Sequence, residues 1–254
     1  MTARHRHPVR AADRPAPAEC GCLALGPWLL APEGGLIHPA ERAAVIADVH
    51  LGYEWARGAA GDCVPAHSLE ETRRQLELLL ERPPGDVQRL IVAGDLVEPT
   101  RPCRRAAAAV AGLLRWLEGR GVRLVLLRGN HDRGLDWLIR HDRAGFPAAA
   151  IDVQDDLVLD DWRIVHGHGR RPGGKLVVGH HHPVMKASGR SFRCFLAGPR
   201  RIMLPAFSGN AAGLDVATLR LAGGAGTGRL RCIASSGGEL FDFGPVRYLA
   251  SRLR

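Results

Sequence analysis

Each apolar run that reads as a strand in the first half of this chain ends in a cluster of Asp, Asn, His and Gly. Ala43-Ala44-Val45-Ile46-Ala47 runs into Asp48-Val49-His50, Val87 to Ala93 into Gly94-Asp95, and Val122 to Leu127 into Arg128-Gly129-Asn130-His131-Asp132. Short apolar runs with such flanks predict buried strands. Two helical patterns separate them. Ser68 with Glu71 predicts a capping box opening a helix whose Leu69, Leu76, Leu79 and Leu80 share one face, stopped by Pro83-Pro84-Gly85. Pro102 predicts the start of the next, with Val110, Leu113, Leu114 and Leu117 buried. This β-α-β-α-β rhythm implies a parallel sheet with right-handed crossovers, and the carboxyl ends of such strands are where ligands bind.

After about Ile151 the pattern changes to short strands and turns: Leu157 to Leu159, Trp162 to Val165, Leu176 to Val178, Arg193 to Leu196 and Arg201 to Leu204. They read as an antiparallel second sheet packed on the first. Two more clusters interrupt them, His166-Gly167-His168 and Gly179-His180-His181-His182. A Gly-rich stretch, Gly223 to Gly228, lacks the strand and the Lys of a phosphate cradle and reads as a flexible connection before a final strand pair, about Leu230 to Ala234 and Glu239 to Phe243. Residues 1–18 are rich in Arg, His, Pro and Ala and read as a disordered tail; residues 19–254 form one domain, with 216–254 as a C-terminal strand extension.

Bulk properties exclude some classes. No apolar stretch is long enough to span a bilayer, and the basic N-terminus is not followed by the apolar core of a secretory signal, so the expected location is the cytoplasm. Beside Cys20-Gly21-Cys22 the other four cysteines are scattered and give no second close pair of the kind a zinc site needs, and all six are expected as free thiols. The net charge is +9, and no Asp or Glu occurs between Asp161 and Asp215, a stretch carrying Arg170, Arg171, Arg200 and Arg201 among other cations. Arginine in excess over lysine fits a GC-rich genome, but the local lack of acids suggests a surface that faces an anion, and these four arginines are candidate phosphate or nucleic-acid contacts.

The clusters hold seven of the twelve histidines and one of the two asparagines. Singly each is weak; together at successive strand ends they suit a pair of divalent ions, which need a shared carboxylate and imidazole ligands about 3.5–4 Å apart. A mixed nitrogen and oxygen shell favours manganese, iron or zinc over calcium or magnesium. The glycines Gly94, Gly129 and Gly179 allow sharp turns beside a crowded site.

This ordered set, Asp48-x-His50, Gly94-Asp95, Gly129-Asn130-His131-Asp132, His166 and Gly179-His180-x-His182, resembles the calcineurin-like metallophosphoesterase superfamily. Ala47-Asp48-Val49-His50-Leu51-Gly52-Tyr53 and Leu204-Pro205-Ala206-Phe207-Ser208 further resemble its bacterial and archaeal ligase-associated DNA-repair phosphoesterases. The resemblance implies an α/β fold, a two-sheet sandwich in α-β-β-α layers with mixed parallel and antiparallel strands. It implies two divalent metal ions, most simply manganese. Asp48, His50, Asp95 and His182 would hold the first; Asp95, Asn130, His166 and His180 the second; Asp95 would bridge. A hydroxide between the ions would attack phosphorus, His131 would protonate the leaving oxygen as general acid, and Asp132 would orient His131. It also implies a helicase and a DNA ligase as partners.

His168 is open between a donor behind the ligands and a turn residue. His181 is expected to face away, and His5, His7, His38, His67 and His141 match no motif. Where repair nucleases of the superfamily commonly carry a His three residues after Gly-Asp, this chain has Glu98, which would repel phosphate or pair with charged His131. The function therefore stays open between a DNA- or RNA-directed phosphodiesterase, a small-molecule phosphoesterase, and a non-catalytic nucleic-acid-binding scaffold; the aromatic content of 5% speaks against extensive base stacking.

Overall fold

The structure is a computed structural model and describes residues 16–17, 21–83, 86–141, 151–169, 173–218 and 230–249. The first sheet has eight strands in sequence order: β1 (Ala16–Pro17), β2 (Leu23–Leu25), β3 (Trp28–Leu30), β4 (Leu36–His38), β5 (Ala43–Ile46), β6 (Arg89–Val92), β7 (Arg123–Leu127) and β8 (Ile151–Gln154). Neighbours are antiparallel from β1 to β5 and parallel from β5 to β8. Helices α1 (Tyr53–Ala59) and α2 (Ser68–Leu80) lie between β5 and β6, α3 (Arg104–Glu118) between β6 and β7, and α4 (Arg133–His141) follows β7. The parallel sheet expected from the alternating pattern is therefore present, extended by the short strands before Ala43 and by β8. Of the expected tail, residues 1–15 and 18 lie outside the described residues, while Ala16–Pro17 pair with β2.

The second sheet comprises β9 (Leu157–Leu159), β10 (Trp162–Val165), β11 (Lys175–Val178), β12 (Pro183–Ala187), β13 (Arg190–Gly198), β14 (Arg201–Met203), β15 (Leu214–Asp215), β16 (Arg231–Ser236) and β17 (Glu239–Pro245). It is mixed, which corrects the antiparallel reading of this half. β10, β11 and β14 are mutually parallel, whereas the β9–β10, β12–β13, β13–β14 and β16–β17 pairs are antiparallel. The reading failed because neighbours in this sheet are not neighbours in sequence: β11 pairs with β14 across the β12–β13 excursion. β12 went unread although its hairpin turn, Ser188-Gly189, has φ of 49° and 73°, the geometry that a two-residue hairpin prefers. β16 pairs with β13, so the C-terminal strands are part of this sheet. The Gly223–Gly228 stretch lies outside the described residues.

Strand periodicity sorts the core into three layers. On the first sheet, Ile46, Leu90, Val92, Leu124 and Leu126 join a cluster with Leu76, Leu79, Val110, Leu113, Leu117 and Leu135 of the helices. The alternate residues Val45, Ile91, Val125 and Leu127 face the second sheet, meeting Ile164, Val177, Phe195, Ile202 and Ile233 in the sandwich interior. The far face of the second sheet carries Leu176, Val178, Cys194, Leu196, Met203 and Cys232, closed by Val216, Leu230 and Leu249. The strands buried on both faces explain the near-continuous apolar runs. Among the described residues no helix is long and apolar enough to cross a membrane, and Cys63, Cys103, Cys194 and Cys232 are free thiols.

The expected capping box does not form. Ser68 is the first residue of α2, not its cap, and its hydroxyl accepts from the Gly52 N–H (3.1 Å) and donates to buried Glu54 (3.0 Å). Glu71 instead binds Arg74 and Gln75. Ser68 thus ties α2 to the turn that follows the Asp48-Val49-His50 cluster.

Phe195 is fully buried between the sheets. Phe195→Ala is expected to destabilise the fold by about 3–5 kcal/mol, read as a lowered urea midpoint with an unchanged slope.

Candidate dinuclear metal centre

The carboxyl ends of β5, β6, β7, β10 and β11 converge on one edge of the sandwich, and hydrogen bonds between the loops lock them together. The Asp48 N–H donates to Gly94 O, those of Val49 and His50 to Asp95 O, and that of Leu51 to Leu96 O, so the turn after β5 lies as an extension of pairing along the turn after β6. From the other side the Phe207 N–H donates to Ala47 O and the Ser208 N–H to Asp48 O. Arg193, largely buried, donates to the carbonyls of Ala206 and Phe207 and to Gln75, holding that segment in place.

Among the described residues only eight non-glycines have positive φ, and five of them are expected ligands: Asp48 (57°), His50 (50°), Asp95 (53°), His180 (68°) and His182 (43°). L-residues adopt this region rarely, and strain of this kind persists where the surroundings over-determine it. Here it turns successive side chains of a loop into one space. Gly94, with φ of 85°, lies so close to His166 that a Cβ would come within 2.4 Å of its ring, and a Cβ on Gly129 would lie 2.1 Å from Asp95 Oδ1.

The expected ligands gather in two groups. Asp48, His50 and His182 form one, with Asp48 Oδ1 3.2 Å from His182 Nε2 and His50 Nε2 3.5 Å from the same nitrogen. Asp95, His166 and His180 form the other; His166 Nε2 lies 3.3 Å from Asp95 Oδ2, 3.2 Å from His180 Nδ1 and 3.0 Å from Asn130 Oδ1. Both groups thus converge acceptor atoms on one point, an arrangement that protons cannot satisfy fully and a cation can. The remaining ring nitrogens support this. His166 Nδ1 is 3.0 Å from Ala93 O, His182 Nδ1 3.1 Å from Ala212 O, and His50 Nδ1 2.6 Å from Glu98 Oε2. Such oxygen partners fix the ring so that its other nitrogen faces the metal. The donor set fits two divalent ions of the borderline kind, manganese, iron or zinc.

Asp95 is 2% exposed. Burial disfavours its charge, but the His166 imidazole and the His131 N–H outweigh it and hold the carboxyl down to about 2. Burial likewise opposes the charged forms of His166 and His182, but contact with Asp95 and Asp48 respectively raises both. His180 is lowered, by burial and by neighbouring His166.

Asp132 does not orient His131. Its Oδ2 accepts the N–H groups of Asp95 (2.9 Å) and Gly129 (2.8 Å), and its Oδ1 those of Leu96 (2.9 Å) and Val97 (3.3 Å). It is a buried brace that fastens the β6 turn to the β7 turn. His131 is held instead by Glu98: its Nδ1 is 2.8 Å from the Glu98 carbonyl and 4.0 Å from the carboxylate. The expected pairing of Glu98 with His131 is present at 4.0 Å, and the same carboxylate lies nearer still to His50, at 2.6 Å. His50, Glu98 and His131 also cluster; His131 Nδ1 is hydrogen-bonded to the Glu98 carbonyl, while His50 Nδ1 lies 2.6 Å from the Glu98 carboxylate as an ion-pair contact without hydrogen-bond geometry. Spacing from Gly-Asp could locate Glu98 in sequence but could not say which histidine it meets.

His168 lies beside His166, with ring centroids 5.2 Å apart and planes tilted by 48°, and burial and His166 lower its pKa. It lines a cleft with Arg128 and Arg133 and belongs to neither ligand group. His181 is in neither group. Arg170 and Arg171 lie outside the described residues. Arg200 and Arg201 stand at the start of β14, whose other end leads to the site, so they occupy the opposite edge of the sheet.

Asp132→Asn would turn an amide N–H₂ toward backbone donors. It is expected to lower stability by about 1–3 kcal/mol and to reduce bound metal, measured by urea denaturation and elemental analysis, where a residue that only orients His131 would lower turnover alone.

A comparison with curated proteins finds no match. Among solved structures, the Pseudomonas putida nuclease MPE superposes with a TM-score of 0.63 at 25% identity, over 91% of this chain and 100% of that one. The calcineurin-like phosphoesterase family profile matches residues 41–200, the stretch that carries every ligand in both groups. By its sequence, its sandwich and its paired ligand groups, the chain belongs to the calcineurin-like phosphoesterase family.

Proposed function

We propose that the protein is a phosphodiesterase that cuts nucleic acid, using two ions of which manganese fits the donor set best, with Asp95 shared between them and His131 as the general acid. The observation that carries this reading is the convergence of all seven expected ligands in two groups beside His131. Bound there, two divalent ions supply a water of lowered pKa as nucleophile and neutralise the charge of the phosphate. The chain's residues do the rest. Asp95 accepts the His131 N–H on Oδ1 and has Oδ2 3.3 Å from His166 Nε2 in the second group; its sharing between two ions is what the family resemblance implies. Glu98 pins His131 through Nδ1, which leaves Nε2 to give its proton to the leaving oxygen. Asp132 keeps the turns in register.

A nucleic-acid substrate is supported by the net charge of +9, by the acid-free stretch from 162 to 214, and by the likeness to the Pseudomonas putida nuclease MPE. Glu98 had favoured a small-molecule substrate, but its carboxylate is engaged by His50 at 2.6 Å and so is not offered to phosphate. A scaffold without catalysis is disfavoured by the complete ligand set. A role in DNA repair beside a helicase and a ligase rests on the resemblance of the Ala47–Tyr53 and Leu204–Ser208 segments.

The test is hydrolysis of bis(p-nitrophenyl) phosphate and nicking of plasmid DNA, with manganese and with chelator. Both activities are expected with manganese and neither with chelator. His131→Ala is expected to lower plasmid nicking about 10²–10⁴-fold and to lower bis(p-nitrophenyl) phosphate turnover much less, since p-nitrophenolate leaves without protonation. An equal loss on both substrates would remove His131 from the acid role.

A further inference from the structure

We propose that the exposed face of α4 is a track for an unpaired nucleic-acid strand, with Arg133 taking the phosphate beside the reacting one and Trp137 stacking the base attached to it. This rests on the nucleic-acid reading above and adds a named surface and a strand type. α4 begins at the residue after Asp132, and its Gly134 is pressed so closely on the Arg101–Pro102 backbone that a Cβ would come within 2.4 Å of it, so the helix is held rigidly against the site. Gly134, Leu135 and Leu138 are buried, and Arg133, Trp137 and His141 are exposed. Residues four apart share a helix face, so the three form one stripe leading away from the metal groups.

Its chemistry points to a polynucleotide. Arg128 is paired with Asp136 and Asp155, and Arg140 with Asp136. Arg133 has no carboxylate partner among the described residues, and it lines a cleft of about 370 Å³ together with Gly129, Asp132, His168 and the paired Arg128, Asp136 and Asp155, which joins the helix to the site. One turn on, Trp137 is 49% exposed, large for an apolar side chain with no core role. Its ring is set by a stack on His141, with centroids 4.7 Å apart and planes 17° apart, while His141 Nδ1 is 2.8 Å from the Trp137 carbonyl. An aromatic ring held in place next to an unpaired cation meets the two needs of single-strand binding, a π-face for a base and a charge for the backbone. The separation of one turn, about 6 Å along the axis, is spanned by the phosphate and base of one nucleotide. Stacking requires a base free of its partner strand, so the track selects single strands over duplex.

The experiment compares the manganese-loaded wild type with Trp137→Ala, Trp137→Phe and Arg133→Gln. Affinity is read by anisotropy with a short fluorescein-labelled phosphorothioate single strand across a salt series, and kcat/KM is read for an unmodified single strand, its duplex and bis(p-nitrophenyl) phosphate. Trp137→Ala is expected to weaken single-strand binding about five- to hundredfold, to lower the single-strand to bis(p-nitrophenyl) phosphate ratio of kcat/KM about as much, and to erase the preference over duplex; Trp137→Phe is expected to restore most of each. Arg133→Gln is expected to flatten the salt slope by about 0.7. If the wild type binds and cuts the single strand and the variants match it in affinity, ratio and salt slope, the track is overturned while the nuclease reading stands, and α4 faces a protein instead. A wild type that cuts the small diester but neither binds nor cuts oligonucleotides overturns both.

Discussion

The site depends on one buried carboxylate that belongs to neither candidate ligand group. Asp132 gathers four backbone N–H groups from two different turns, and so sets the distance between the Asp95 carboxylate and the Asn130-His131 pair. Burial pushes its carboxyl up to about 6 even though these N–H groups favour the charge. Its hydrogen-bond partners are all backbone donors, which offsets the burial and the repulsion from Asp95 that an acid only 1% exposed would otherwise suffer. The His131 N–H on Asp95 Oδ1 ties the proposed bridging carboxylate directly to the proposed acid.

Around this brace, sheet architecture provides the convergence. Five strands with carboxyl ends on one edge place five loops side by side, and backbone pairing between the loops continues the order of the strands beyond their ends. The left-handed conformations at Asp48, His50, Asp95, His180 and His182 are the local cost of aiming so many ligands into so small a space. The same crowding excludes a side chain at Gly94 and at Gly129. Arg193 extends the support from the second sheet, through the Ala206 and Phe207 carbonyls, to the Asp48 loop.

Much of this was legible in the residues because metal ligands must be of few chemical types and must follow strand ends. The three parallel strands, the buried faces of α2 and α3, and the sandwich class follow from periodicity. The mixed order of the second sheet did not, since β11 pairs with a strand that lies beyond a hairpin in sequence. The partners of Ser68 and Asp132 were misread for a common reason. Local spacing suggests a local partner, whereas both side chains bond across loops: Ser68 to Gly52 and Glu54, Asp132 to Leu96 and Val97; Glu98 meets the expected His131 and also His50, which spacing could not show. Arg200 and Arg201 looked anion-facing by composition, but strand direction sets them at the other edge.

The central claim is that Asp95 is shared by two ions. Electron paramagnetic resonance of the manganese-loaded protein, with the metal content of the same sample, tests it directly. The account predicts two manganese ions per chain and the broadened, temperature-dependent spectrum of an exchange-coupled pair, lost in Asp95→Ala. One ion per chain, or two ions that give only the six-line spectrum of isolated manganese, would contradict it.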